Sequence, residues 1–277
     1  MKIAVFSGKG GAGKTLVATN LAALAQEGTY IDCDVEEPNG HIFLQPQEVQ
    51  QLEVTTKLPT FDQTKCSGCR KCVDFCRFNA LFYIKHKPLV FPEICHSCGG
   101  CQLVCPCDAI REIERPVGRL EIGYRQQLKV VTGILNIGEA SAVPVISSAL
   151  SQATPGRLTI IDGPPGSSCS VMESMAQADY CLLVVEPTAF GLHNFQMVHQ
   201  LAQLLHKSCG VVLNKMDQPY APLEEYCHSK DLPILARLPY DQQLAEALAA
   251  GKLAYEQGSS WRKLFSQLLN KIGGVCP

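Results

Sequence analysis

Residues 3–26 read IAVFSGKGGAGKTLVATNLAALAQ, an apolar run followed by a glycine-rich loop and a helix-like stretch. Within it, residues 8–15 match GxxxxGK(S/T), the motif of phosphate-binding loops, in its usual place between a strand and a helix. Glycines let the backbone approach phosphate oxygens, the helix N-terminus favours anions, and the threonine hydroxyl suits magnesium. A flexible glycine loop without a ligand is the alternative interpretation. The motif therefore predicts a site for a nucleotide and Mg²⁺, built from Gly8, Gly10, Gly11, Ala12, Gly13, Lys14 and Thr15.

The composition around this loop is that of a folded globular chain. The 277 residues are 46% hydrophobic and 18% charged, and the formal net charge is -2. This balance excludes a disordered chain and gives no general attraction to nucleic acid, so no nucleic-acid partner is expected. No apolar run approaches the roughly 18 residues that span a bilayer. The N-terminus lacks the pattern of a secretory signal, and we expect a cytoplasmic protein.

Fifteen cysteines are the unusual part of the composition. Two copies of the spacing CxxCxxCxxxC occur, at residues 66–76 and 95–105. In two-cluster ferredoxins with this spacing, three cysteines of each run hold one four-iron cluster and the fourth holds the other cluster. We therefore predict two 4Fe-4S clusters, although the proline that usually follows the fourth cysteine is replaced by Arg77 in the first run. The predicted ligands are Cys66, Cys69, Cys72 and Cys105 for one cluster, and Cys95, Cys98, Cys101 and Cys76 for the other.

Zinc sites and disulfides are the alternatives for these cysteines. A zinc ion takes four ligands, usually from two CxxC pairs separated by a longer loop, which would leave the third and fourth cysteines of each run unexplained. Disulfides are rare in proteins that are not exported. Iron-sulfur clusters therefore remain the favoured interpretation.

A second lysine, Lys9, gives the loop the sequence KGGAGKT. This sequence resembles the deviant Walker A motif KGGxGKT of the MinD/ParA superfamily of P-loop ATPases, which includes the nitrogenase iron protein and the Mrp-type cluster carriers. The resemblance implies that Lys9 reaches the nucleotide in a partner subunit, so that ATP binding drives formation of a homodimer. Lys9 and Lys14 are thus expected to be catalytic.

Acidic residues follow two apolar strands in the order that this superfamily shows. Residues 30–34, YIDCD, resemble its first switch, where the second carboxylate positions the attacking water. We therefore expect Asp34 to be catalytic. Residues 158–166, LTIIDGPPG, resemble a Walker B strand and second switch, and Asp162 is expected to hold magnesium through water.

The nucleobase is expected near residues 214–217, NKMD, which follow another apolar strand. This sequence fits the NKxD motif, in which a strand-end aspartate reads guanine, so GTP is an alternative nucleotide. The resemblance to MinD/ParA ATPases instead implies that Asn214 contacts adenine, together with a later turn that contains Pro239 and Asp241. ATP is the favoured nucleotide.

Apolar strands and helical stretches alternate along most of the chain, which predicts an α/β fold with a mostly parallel sheet and helices on both faces. The cysteine block interrupts this alternation. We predict a discontinuous P-loop ATPase domain at residues 1–59 and 116–277, and an inserted small α+β ferredoxin-like domain at residues 60–115. The predicted strands are 2–6, 29–33, 129–133, 158–162, 181–186, 210–214 and 233–236, and the predicted helices include 16–27, 193–206 and 241–250.

Cys169 has two interpretations. It lies seven residues after Asp162, the distance at which the nitrogenase iron protein places a cluster-ligating cysteine. That resemblance implies a reactive or metal-receiving thiol, but a buried structural thiol is the favoured interpretation.

The end of the chain also has two interpretations. Apolar residues recur at helical spacing between residues 261 and 272, with basic residues beside them. This pattern favours a final helix that packs on the core over a membrane-binding amphipathic helix such as that of MinD proteins.

Three functions fit these features. In the leading hypothesis, nucleotide-driven dimerisation and switch movement of an ATPase gate electron transfer from the two clusters to a partner or substrate. The second is an ATP-dependent protein that assembles or carries an iron-sulfur or other metal cofactor. The third is a MinD-like positioning ATPase. The first two imply a protein partner that accepts electrons or a cluster.

Overall fold

The computed structural model describes residues 1–85 and 87–275, which form two compact units. The larger unit comprises Met1–Leu52, Leu120–Ile134 and the chain from Ile146 onwards. The smaller unit comprises Glu53–Arg119 and Leu135–Val145. The predicted limits of the inserted domain, residues 60 and 115, stay a prediction.

Strands and helices alternate along the chain, and their bounds in both units are as follows. The strands are β1 Lys2–Phe6, β2 Glu27–Asp32, β3 Gln47–Phe61, β4 Leu81–Ile84, β5 Lys87–Val90, β6 Ile110–Arg125, β7 Gln127–Leu135, β8 Thr159–Asp162, β9 Tyr180–Val185, β10 Ser208–Met216 and β11 Ile234–Pro239. The helices are α1 Lys14–Ala25, α2 Gly40–Leu44, α3 Lys71–Phe75, α4 Gly100–Leu103, α5 Val143–Leu150, α6 Cys169–Ala176, α7 Ala189–Leu204, α8 Ala221–Ser229, α9 Gln242–Ala249 and α10 Ser259–Val275. Two 3-10 turns lie at Pro92–Ile94 and Ala254–Glu256.

A parallel sheet forms the centre of the larger unit. Its strands follow the order β11-β10-β9-β1-β8-β2-β7, and each neighbouring pair in this series is parallel. The strands β6 and β3 continue the sheet beyond β7. The predicted α/β fold with a mostly parallel sheet is therefore confirmed.

Both faces of this sheet are covered, as β1 illustrates. Its residues Ile3 to Phe6 are all fully buried, although successive side chains of a strand point to opposite faces. On one face, Ile3 and Val5 belong to an apolar cluster with residues of α1 and α10. The helices α6 and α7 pack against strands of the same sheet, α6 on β1 and α7 on β9 and β10.

The last helix, α10, covers the core. Its apolar side chains Trp261, Phe265, Leu268 and Ile272 are at most 7% exposed and belong to the main apolar cluster. At this helix Lys271 also donates a hydrogen bond to the carbonyl oxygen of Leu235, at 2.7 Å. The structure thus agrees with the packing interpretation of this segment. Among the described helices, none has both the length and the apolar character needed to cross a membrane.

The smaller unit contains the antiparallel hairpin β4–β5 and the short helices α3 and α4, which contact each other. Its core is small. The buried members are Cys72, Leu81, Cys101 and Ile110, and partly buried Phe61, Val73, Cys76, Val90 and Cys105 pack against them. Four predicted cluster ligands therefore belong to this core. The ferredoxin-like character of the unit stays a prediction.

Candidate functional site

The phosphate-binding loop connects the end of β1 to the start of α1. Gly11 and Gly13 have φ angles of 74° and 101°, in the left-handed region that favours glycine. A Cβ atom on Gly13 would lie 2.1 Å from Nδ2 of Asn214, and one on Gly8 would lie 2.3 Å from the backbone carbon of Asn194. The chain itself therefore requires glycine at both ends of the loop.

Lys14 is the first residue of α1 and is 6% exposed. Its Nζ lies 3.5 Å from Oδ2 of Asp34, in the segment that follows β2. Burial raises the pKa of Asp34, and the positive charge of Lys14 opposes that shift. The two residues expected to be catalytic at the loop and the first switch are thus within reach of each other.

The two aspartates at the end of β2, Asp32 and Asp34, differ in their surroundings. Asp32 is fully buried, and its carboxylate accepts hydrogen bonds from the backbone N–H groups of Asp34 at 3.1 Å, Asn39 at 3.2 Å and Gly40 at 2.9 Å. These bonds hold the turn that leads into α2. The side chain of Asp34 is 22% exposed and faces Lys14 instead. This arrangement leaves Asp34, rather than Asp32, available to a ligand.

Asp162 ends β8 and is fully buried opposite Asp32, its register partner on β2. Its Oδ2 accepts a hydrogen bond from the hydroxyl of Tyr30 at 3.0 Å. Within the described part of the chain, its Oδ1 has no hydrogen-bond partner. Burial raises the pKa of Asp162, while Lys14 and the hydroxyl of Thr15 act in the opposite direction.

These residues fit a magnesium ion. A buried carboxylate oxygen without a partner is costly in an apolar setting and is readily satisfied by a cation or by its bound water. The hydroxyl of Thr15 lies beside Asp162, and oxygen ligands of this kind are those that Mg²⁺ takes while it keeps several waters. Thr15 and Asp162 are therefore suited to the ion expected there.

Lys9 contacts its own chain. Its Nζ lies 2.5 Å from Oε2 of Glu186, the residue after β9, and 5.5 Å from the ring centroid of Phe190. The hydrogen bond from Lys9 lowers the pKa of Glu186. The side chains of Lys9 and Glu186 are 26% and 23% exposed. In the single subunit, the lysine expected to act across a dimer is therefore paired with a carboxylate.

A cavity opens beside the phosphate-binding loop. Asn214 lies in its wall and donates a hydrogen bond from Nδ2 to the carbonyl oxygen of Ala12 at 2.8 Å. Asp241 also lies there, but its carboxylate accepts hydrogen bonds from the N–H of Leu244 at 3.1 Å and from Nε1 of Trp261 at 3.3 Å. The lining residues are Gly11, Gly13, Leu16, Asn214, Lys215, Pro239, Tyr240, Asp241, Leu244, Ala245 and Leu248.

The predicted cluster ligands line two cavities in the smaller unit. The wall of the first cavity contains the predicted set Cys66, Cys69, Cys72 and Cys105. The wall of the second cavity contains the set Cys76, Cys95, Cys98 and Cys101. Each cavity thus collects three cysteines of one run and the fourth cysteine of the other. This is the crossed arrangement that the spacing predicts.

The donors in these cavities stand apart from one another. In the part of the chain that the structure describes, no three His, Cys, Asp or Glu side chains are close enough to hold a single metal ion. That spacing counts against a zinc ion, whose ligand atoms lie about 2.0–2.3 Å from the metal. A four-iron cluster is larger than one ion, so its four thiolates lie further apart. Four cysteines in each cavity match the donor set of a 4Fe-4S cluster, and the clusters themselves stay a prediction.

Residues 3–254 match the CobQ/CobB/MinD/ParA nucleotide binding domain. The chain belongs to this family. A relative along almost the whole length is the uncharacterized protein MJ0578 of Methanocaldococcus jannaschii, which is 30% identical over 98% of this chain and 96% of its own.

Solved structures of MinD/ParA-type proteins share the fold. The septum site-determining protein MinD of Pyrococcus horikoshii, complexed with Mg-ADP, superposes with a TM-score of 0.61 at 17% identity, over 98% of this chain and 95% of that one. The ATP complex of a variant of McdA from Cyanothece gives a TM-score of 0.59 at 17% identity, over 98% and 96% of the two chains. The predicted membership of the MinD/ParA superfamily is confirmed. The relationships to Mrp-type carriers and to the nitrogenase iron protein stay predictions.

In this MinD/ParA-family chain, the structure separates the predicted site residues into three groups. Lys14, Thr15, Asp34 and Asp162 lie together where β2 and β8 end, with the glycines of the loop beside them. Asn214, Pro239 and Asp241 line the neighbouring cavity. The eight cysteines predicted to bind clusters line the two cavities of the smaller unit.

Cys169 is not a member of these three groups of predicted site residues. It is exposed and is the first residue of α6. The interpretation of Cys169 as a buried structural thiol is therefore wrong, because the start of α6 leaves its side chain in solvent. A reactive or metal-receiving role stays a prediction.

Three residues of the nucleotide site were not singled out from the sequence. Tyr30 binds Asp162, Glu186 binds Lys9, and Tyr240, which is 59% exposed, lies in the wall of the cavity beside the loop. The sequence offers a weak indication that Glu186 belongs to the site, because it is an acidic residue at the end of an apolar strand. Tyr30 had none, because an aromatic residue within a strand usually packs in a core.

Proposed function

We propose that this protein is an ATPase of the MinD positioning type, which binds ATP as a homodimer and whose nucleotide state determines the binding of a partner. The observation that carries this proposal is the convergence of Lys14, Asp34 and Asp162 on a fold that binds Mg-ADP in the Pyrococcus horikoshii protein. The comparisons favour this function over the leading hypothesis of gated electron transfer, which they do not support.

The phosphates of ATP are expected to lie along the loop. Backbone N–H groups of the loop and the N-terminus of α1 favour anions, and Lys14 at that terminus adds a positive charge. Magnesium, when bound by Thr15 and Asp162, supplies positive charge that offsets the charge of the phosphates.

Asp34 is the residue proposed to position the attacking water. Hydrolysis forms a bond from the water oxygen to the γ-phosphorus and breaks the bond to the β–γ bridging oxygen, which gives ADP, inorganic phosphate and a proton. The oxygens of Asp32 are already engaged by three backbone N–H groups, which leaves Asp34 for this role. The partly exposed carboxylate of Asp34 also lies beside Lys14, at the position expected for the outer phosphate.

The cavity beside the loop is proposed to take the adenine base. Asn214 and Pro239 lie in its wall, together with the exposed ring of Tyr240. Asp217, the residue that would read guanine in an NKxD motif, is not among the described residues that line it. The carboxylate of Asp241 is engaged by Leu244 and Trp261. The residues in the wall of this cavity therefore support ATP over GTP as the bound nucleotide.

ATPase rate and oligomeric state test this proposal together. Asp34→Ala is expected to bind ATP and form dimers but to lose hydrolysis, and Lys9→Ala is expected to bind ATP and remain monomeric. Glu37→Gln, at an exposed acid three residues from Asp34, is the matched control and is expected to behave as the wild type. Light scattering during gel filtration with Mg²⁺ and a non-hydrolysable ATP analogue measures the dimer. A monomeric wild type under these conditions would refute the proposal.

A second candidate function rests on the cysteine cavities. We infer that the smaller unit holds two 4Fe-4S clusters, because each cavity collects one predicted set of four cysteines. Such clusters supply one-electron redox chemistry when bound. Gated electron transfer and ATP-dependent cluster delivery both require them, whereas positioning requires only the ATPase.

Anaerobic electron paramagnetic resonance of the dithionite-reduced protein separates these functions. Cluster signals whose midpoint potentials shift on addition of Mg²⁺ and an ATP analogue would support gated electron transfer. A labile additional cluster that is lost in Cys169→Ala would support cluster delivery. Two clusters that do not respond to nucleotide leave the positioning ATPase as the function.

A further inference from the structure

The two cysteine cavities differ in the number of thiols in their walls. Both contain the four cysteines that the spacing predicts. Among the described residues, the wall of the first cavity contains a fifth cysteine, Cys107, and the wall of the second contains no fifth. The first cavity therefore has one more thiol than a four-iron cluster binds.

The local sequence explains this difference. Cys107 is the second residue after Cys105, the last cysteine of its run, and Pro106 stands between them. At the corresponding position of the other run, the second residue after Cys76 is Phe78. Phe78 stacks on the ring of His96, with centroids 3.8 Å apart. The ends of the two runs supply the same ligand type to opposite cavities, and they also differ directly after the ligand, where Arg77 stands in place of Pro106.

Contacts hold Cys107 against the ligand loop of the first cavity. Its Sγ donates a hydrogen bond to Oγ of Ser67 at 3.2 Å, and Ser67 directly follows the predicted ligand Cys66. The neighbouring ligand Cys105 accepts a hydrogen bond at its Sγ from the N–H of Ala109 at 3.4 Å. Cys107 is partly exposed. Its thiol is thus held beside the predicted ligands by a weak contact that another bond can replace.

We propose that Cys107 is a reserve ligand of the first cluster, which binds iron when Cys105 is absent. This inference rests on the proposed clusters and concerns one residue of their site. When Cys107 takes over, the hydrogen bond to Ser67 is lost, the thiol releases its proton to solvent, and a sulfur–iron bond forms without any change in the number of electrons. In the wild type, Cys105 occupies that position and Cys107 remains a free thiol.

The prediction is tested by iron and sulfide analysis of the full chain after anaerobic reconstitution. The wild type is expected to hold about eight iron atoms per chain, which is two clusters of four. Cys105→Ala and Cys107→Ala are each expected to keep about eight, and the double variant is expected to fall to about four. The matched control Cys76→Ala, whose run has no cysteine at the corresponding position, is expected to fall to about four by itself.

Alkylation by iodoacetamide, followed by peptide mass spectrometry, reports on Cys107 directly. In the reconstituted wild type, Cys107 is expected to react, whereas in reconstituted Cys105→Ala it is expected to be protected. Loss of a cluster in Cys105→Ala with Cys107 still reactive would overturn the reserve-ligand proposal while leaving the two proposed clusters in place. A wild type that takes up no iron would instead refute the clusters themselves, and the reserve ligand with them.

Discussion

The ion pair between Lys9 and Glu186 leads to a prediction about dimer formation. For Lys9 to reach the nucleotide of a partner subunit, its Nζ must leave Oε2 of Glu186, which lies 2.5 Å away. Glu186→Gln removes the negative charge that holds the lysine. We therefore expect this substitution to strengthen the ATP-dependent dimer.

The size of the effect follows from the exposure of the pair. Both side chains are about a quarter exposed, and ion pairs in such settings contribute about 0.2–1 kcal/mol. A symmetric dimer releases two of them, which amounts to about 0.4–2 kcal/mol and corresponds to a dimer Kd about 2- to 30-fold lower. The same estimate limits the loss of monomer stability to about 1 kcal/mol.

Sedimentation equilibrium with Mg²⁺ and a non-hydrolysable ATP analogue measures this Kd. Glu224→Gln is the matched control, because Glu224 pairs with Arg237 at 3.3 Å on an exposed part of the larger unit. This control is expected to leave the Kd unchanged. An unchanged or higher Kd for Glu186→Gln would show that Glu186 does not restrain Lys9, and would refute the reasoning.

Other parts of the larger unit give three further predictions. Gly13→Ala is expected to abolish binding of a fluorescent ATP analogue, because the added Cβ would lie 2.1 Å from Nδ2 of Asn214 at a φ of 101°. Burial raises the pKa of Asp32 and of Asp162, so the folded state binds more protons than the unfolded state above about pH 4. The free energy of unfolding of the nucleotide-free and magnesium-free protein should therefore fall between pH 5 and pH 7.5, with a smaller slope in Asp162→Asn, and a rise would contradict this. Phe265→Ala is expected to destabilise the protein by about 3–5 kcal/mol in urea unfolding, because this core side chain is fully buried.

The parallel sheet could be predicted because its strands are buried on both faces. Such strands appear in the sequence as short apolar runs, and the phosphate-binding loop marks the first of them. β3 and β6 were missed for the opposite reason. The first seven residues of β3, Gln47 to Glu53, are exposed, so no apolar run marks the strand. Strands of this kind form by pairing with neighbouring strands of the sheet. The local sequence does not show which strands will pair.

The site could be predicted as far as local motifs extend. The loop, the strand-end aspartates and the cysteine runs each lie within a short segment. The local sequence is therefore enough to indicate which side chains come together there. Contacts such as Lys9 with Glu186 and Tyr30 with Asp162 join distant segments and depend on strand order. Because β1 lies between β8 and β9 in the sheet, residues far apart in the chain meet at its end.

The apolar cluster around the predicted ligands of the smaller unit has few buried members among the described residues. Two of the four buried members of this cluster, Cys72 and Cys101, are predicted cluster ligands, and Leu81 and Ile110 are the other two. Small domains with little apolar core usually depend on metals or disulfides, and metal binding then contributes directly to folding. We therefore expect the iron-free protein to have a folded larger unit and a loosely ordered smaller one.

Hydrogen–deuterium exchange of the iron-free and the anaerobically reconstituted protein tests this expectation. Amides of residues 53–119 should exchange much faster without iron, because opening the unit then costs little free energy. Amides of residues 3–6 in β1 and of β8 provide the internal control, since these residues are buried in the parallel sheet and should exchange slowly in both samples. Equal protection of residues 53–119 in both samples would show that the apolar contacts around Leu81 and Ile110 suffice. In that case the cysteines would be dispensable for the fold, and their crossed arrangement would have to be explained by the function of the clusters alone.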